Sequence, residues 1–140
     1  KKLIVDKAKG SKAEDLLEEE RDRFMSLNCF KHGSTVVVRL ANTACDLKGT
    51  FNSETFPTLA MLDRTAVGKV LGPDNAGNMK TSPFLKMARS PDEELELTCN
   101  GISESFTVVV ISQFSEEDYQ EFLQNMIPLD LLQPMKPSTE

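Results

Sequence analysis

LANTACDLKGTFNSETF, residues 40–56, is the stretch whose reading decides the fold. It leaves a β-branched run, breaks at the small residues Ala41 to Cys45, and then alternates. Leu47, Gly49 and Phe51 are opposed by Asp46, Lys48 and Thr50. A period of two is the strand period. Read this way, Asp46 to Asn52 is a second strand returning on the first. Gly49 then marks a bend where a small sheet curls on itself.

Upstream, Ser34 to Leu40 is rich in β-branched residues and reads as the first strand, with Val36, Val38 and Leu40 on one face. Before it, Ser11 stands three residues ahead of Glu14, the spacing of a capping box. Ala13, Leu16, Leu17, Phe24, Leu27 and Phe30 then recur at helical period, with Glu18, Glu19, Arg21, Asp22 and Arg23 on the wet side. Gly33 ends that helix, because glycine tolerates the positive φ of a helix stop. Residues 1–12 read as a flexible lead-in.

Downstream, Thr58 to Leu62 is a candidate third strand, limited by Pro57. Residues 63–92, rich in glycine, proline and asparagine, read as a long loop. In Glu94 to Cys99, Leu95, Leu97 and Cys99 alternate with Glu94, Glu96 and Thr98, giving a fourth strand. Asn100-Gly101 is a hairpin turn signal, and Ser103 to Ser112 is a fifth strand, apolar on both faces. Ser115 with Asp118 caps a second helix bearing Tyr119, Phe122, Leu123, Met126 and Ile127, which Pro128 ends. Residues 128–140 read as a flexible tail.

The expected fold is therefore mainly β with flanking helices: an N-terminal helix, a strongly bent five-stranded barrel and a C-terminal helix, in one domain over residues 13–127. A chain of 140 residues suits one domain. Its net charge of −6 opposes nonspecific binding to nucleic acid or anionic membranes. Cys29, Cys45 and Cys99 match no zinc spacing and no redox pair, and suit the reducing cytoplasm or nucleus. No apolar run is long enough to span a membrane. The single histidine, His32, has no nucleophile or second base beside it in sequence, so no hydrolytic triad is indicated. The glycines of residues 68–78 lack the Gly-Lys-Ser/Thr of a phosphate loop. The reading is a non-enzyme without cofactor or metal.

A helix followed by strand, turn and strand with Gly49 and Phe51, and later by LELTCNGISESFTVVVI (residues 95–111), resembles the two motifs of the Sm and Sm-like proteins. RNA-binding members carry an aspartate and a Met-Asn pair after the first-motif glycine, where this chain has Thr55 and Thr58-Leu59. They carry Arg-Gly at the second turn, where this chain has Asn100-Gly101. With those reading residues missing, the resemblance implies no direct RNA binding. ERDRFMSLNCFKHGSTVVVRL (residues 20–40) is similar to the small Sm-like Gemin subunits of the survival-of-motor-neuron complex, which implies a scaffold in ribonucleoprotein assembly.

The function expected is that of an adaptor that pairs with a protein partner, as homo- or hetero-oligomer, through a strand edge. The partner-binding residues would be Leu95, Leu97, Cys99, Phe106, Val108 and Val110. A strand apolar on both faces, with no proline and no Lys or Arg, is prone to pair if left at an edge. The alternative is a peptide-binding barrel of pleckstrin-homology or Tudor type, closed at one end by the C-terminal helix.

Overall fold

The computed structural model of the protein describes residues 2–4, 12–41 and 45–138. Strand β1 (Lys2–Ile4) precedes helices α1 (Ala13–Ser26) and α2 (Cys29–His32). Strand β2 (Thr35–Ala41) follows, and then helices α3 (Thr58–Leu62) and α4 (Arg64–Gly68). Two 3₁₀ segments, Pro73–Thr81 and Pro83–Met87, lead into helix α5 (Pro91–Asn100). Strand β3 (Thr107–Ser112) and helix α6 (Tyr119–Leu123) complete the order, with a last 3₁₀ turn at Leu129–Leu131.

The strands form one open parallel sheet in the order β1-β2-β3. Lys2 registers with Val37, and Thr35, Val37 and Arg39 register with Thr107, Val109 and Ile111. Connections between parallel strands are right-handed almost without exception. A sheet built in this order therefore receives both crossovers on one face. The burial agrees: Val36, Val38 and Leu40 of β2 are buried, and Val108 and Val110 pack on the same core.

Aromatic rings hold that core together. Phe24 of α1 lies edge-on to Phe30, Phe56 and Phe106, with centroids 4.7, 5.9 and 6.0 Å away. Phe30 also meets Phe84, from the second 3₁₀ segment, at 5.4 Å. Such edge-to-face pairs add to plain area burial, and here they tie both crossovers to the sheet. Arg21 sits buried beside them. Its Nε donates to the Met87 carbonyl at 2.7 Å, and its Nη2 to Glu93.

Two sequence expectations at the entrance to β2 agree with the structure. Gly33 closes α2 at φ 63°, accepting the left-handed backbone that a residue with a Cβ resists. The β-branched run after it is β2. The Ser11 cap lies outside the described residues, as does most of the lead-in 1–12, of which residues 2–4 form β1.

The expected five-stranded barrel, with its mainly β content, does not form, and the described strands make one open three-stranded sheet. Residues 46–52 are a turn rather than a returning strand: the Asp46 carboxylate accepts from the N–H groups of Lys48, Gly49 and Thr50 at 3.2, 2.9 and 2.9 Å. A carboxylate that gathers three successive amides coils the chain around itself and removes them from any ladder. Thr58–Leu62 is helical, not a third strand, with Thr58, Met61 and Leu62 buried at helical spacing. The expected loop 63–92 is a series of short helices, pinned by the buried Val67, Val70, Met79, Phe84 and Met87.

Glu94 to Cys99 is not a strand but most of α5. Ser90 accepts the Glu93 N–H at 3.2 Å, Pro91 occupies the first turn, and Asp92, Glu93 and Glu94 oppose the positive helix end. Asn100-Gly101 is the end of this helix rather than a hairpin turn. Gly101 has φ 63° and ψ −152°, and a Cβ there would lie 2.5 Å from the Val70 carbonyl oxygen. That close approach lets Ile102 form an isolated parallel bridge with Leu71.

Candidate protein-interaction surface

Among the described residues, His32 is exposed at the end of α2, and no group of three His, Cys, Asp or Glu side chains is placed to hold a metal ion. A shallow hollow is lined by Phe24, Met25, Cys29, Lys31, Glu96 and Leu97, among others. Its charged groups neutralise one another: Glu96 Oε1 has the Lys31 ammonium at 2.9 Å as counter-ion, off the line of a hydrogen bond.

The sheet itself is the distinctive surface. β3 is an edge strand, with β2 on one side and no described strand on the other. The Thr107 N–H donates to the Ser34 carbonyl at 3.5 Å, which sets the phase of the strand. Successive residues turn their N–H and C=O groups to opposite sides, so Thr107, Val109 and Ile111 bond toward β2 and Val108 and Val110 turn outward. The start of this edge is already engaged, since Arg64 Nη1 donates to the Phe106 carbonyl at 3.0 Å. Beyond Arg64, no hydrogen bond among the described residues reaches the outward backbone of Val108 or Val110. Residues 107–112 contain no proline and no charged side chain to obstruct an incoming strand.

The second element of the surface is the sheet face away from the helices. It carries Thr35, Val37 and Arg39 from β2 beside Thr107, Val109 and Ile111 from β3, and Lys2 and Ile4 of β1 register on the same face. Val109 is 41% exposed and Ile111 43%. Val37 is half-buried and Arg39 exposed. Arg39 forms no ion pair among the described residues.

The six sequence-nominated residues do not form one surface. Leu95, Leu97 and Cys99 lie on α5, where Leu97 is buried and Leu95 and Cys99 are exposed on a helix rather than a strand edge. Phe106 is buried in the aromatic core. Val108 and Val110 are on the edge strand, with side chains packed inward and backbone groups turned outward. Sequence reasoning missed Val37, Arg39, Val109 and Ile111 as one sheet face. Their signal was alternation within two valine-rich runs, concealed because every second residue there is apolar too.

No described helix is long and apolar enough to cross a membrane. No family model, curated protein or solved structure matches the chain.

Proposed function

We propose that the protein is a non-catalytic interaction module that binds a protein partner by adding a strand to the free edge of β3. One observation carries this reading: the outward backbone groups of Val108 and Val110 lack hydrogen-bond partners among the described residues, on a strand with no charged or proline guard. Main-chain bonds would supply affinity, and alternate side chains specificity, as in other strand additions. The ribonucleoprotein setting depended on a barrel plan that this sheet does not share, so the proposal keeps the strand pairing and leaves that setting aside. Direct RNA contact has no support in a chain of charge −6. The described cysteines form no disulfide, which suits a cytoplasmic or nuclear protein.

Val110→Pro tests the reading. Proline removes an outward N–H that β2 does not use, and edge positions of this kind tolerate it. The variant should keep its circular dichroism spectrum and lose partners that the wild-type chain captures and crosslinks through β3. A folded Val110→Pro chain that captures the same partners equally well would overturn the proposal.

A further inference from the structure

The face formed by Val37, Arg39, Val109 and Ile111 is a separate surface from the β3 edge, and it poses its own problem. Parallel sheets are found almost wholly with both faces covered, yet the strand order here places this chain's own crossovers on one side. Among the described residues of β2 and β3 the other side is apolar at its centre, polar at Thr35 and Thr107, and charged at Arg39, and the register places Lys2 and Ile4 of β1 beside Val37 and Arg39 on that side. A face whose charged positions, Lys2 and Arg39, are both basic is a local inversion of sign on a chain of net charge −6. It disfavours a second, equally acidic copy less than it favours a specific acidic group set beside an apolar stripe. The apolar stripe of Val37, Val109 and Ile111 suits an apolar partner surface better than a phosphate, which gathers several donors. The cover that parallel sheets take is the helix.

We propose that this face docks an amphipathic helix from a partner, with an apolar stripe over Val37, Val109 and Ile111 and a carboxylate paired with Arg39. The helix lies across the face and makes no use of the outward backbone of Val108 and Val110. Strand addition and helix docking are therefore compatible, and either can fail without the other.

The test uses the full chain, labelled with ¹⁵N, and two 18-residue helical peptides with the same leucine stripe, one flanked by glutamates and one by lysines. The glutamate peptide should perturb the amides of Thr35 to Arg39 and Thr107 to Ile111. It should bind about fivefold more tightly than the lysine peptide, the scale of one exposed charge pair exchanged for a repulsion. Arg39→Glu, at an exposed position that leaves the fold intact, should abolish the preference, and Arg39→Gln should reduce it, because Lys2 stays on the same face. Val110→Pro should leave the titration unchanged. Equal affinity for both peptides, perturbations elsewhere, or the same amides shifting when the protein alone is concentrated would each overturn the proposal, the last by showing a second copy as the occupant.

Discussion

Leu95 and Leu97 stand two residues apart on α5 and meet opposite surroundings: Leu95 is 60% exposed and Leu97 4%. At 3.6 residues per turn they point about 200° apart, whereas on a strand they would share a face. Leu97 joins the core with Phe24 and Phe30, and Leu95 points into water.

Leu97→Lys should therefore unfold or severely weaken the protein. Loss of the buried side chain alone costs about 2–5 kcal/mol, and the buried ammonium adds to that. Leu95→Lys should change stability by no more than about 0.5 kcal/mol. Urea denaturation of the two variants checks the contrast. Equal losses would mean that α5 does not pack as described.

Arg21 joins α1 to the second crossover. Its Nε bonds Met87, its Nη1 lies 2.7 Å from Asp22 Oδ1, and its Nη2 meets Glu93, which also accepts the Arg89 N–H at 2.8 Å. Removing one member of a buried charged network costs about 3–5 kcal/mol. Glu93 and Asp22 are partly solvated, with side chains 32% and 63% exposed, so Arg21→Met should fall at or below the low end, about 3 kcal/mol. Arg21→Lys should recover little, because one ammonium cannot match three directions at once. Chemical denaturation reads both, and a loss under about 1 kcal/mol for Arg21→Met would show that the network is peripheral.

Asp46 makes the turn after β2 sensitive to acid. The Thr50 N–H, foremost among its donors, holds the carboxyl below its ordinary value of 3.8, with further help from Gly49, the Thr50 hydroxyl and Lys48. A depressed carboxyl stabilises the folded turn at pH above the unfolded value, and that stabilisation is lost as pH falls through the folded one. The amide resonances of Gly49 and Thr50 should therefore hold steady down to about pH 4 and move below it. In Asp46→Ala this transition should vanish, with a loss of about 1 kcal/mol, as for a helix cap removed. Amide shifts that titrate near neutral pH instead would contradict the assignment.

Legibility in the sequence followed the strength of local signals. β2 and the stop at Gly33 were readable because a β-branched run and a glycine stop agree there. The single helix expected before them breaks at Asn28, φ 47°, into α1 and α2, which leaves Leu27 of the expected apolar stripe exposed. β3 was readable as a strand, but not its place at an edge, since partner and direction are set by elements distant in the chain. Residues 46–52 alternate like a strand, and the reading gave way because one side chain, Asp46, claims the amides that a ladder would need. α5 was missed although Ser90, Pro91 and Glu93 spell a helix start. The alternation of residues 94–99 mimicked a strand, and an exposed leucine at Leu95 completed the disguise. Of the nominated binding residues, Val108 and Val110 fall on the edge strand. The exposed face beside them required the parallel register of β2 and β3, which no local pattern encodes.

Residue-resolved hydrogen exchange along β3 in the dilute protein tests the central claim most directly. If the outer edge is open, the amides of Val108 and Val110 should exchange far faster than those of Val109 and Ile111, which bond to β2, and should become protected when a partner strand is added. Protection of all four amides in the isolated, monomeric chain would contradict the account, because the edge would already be closed.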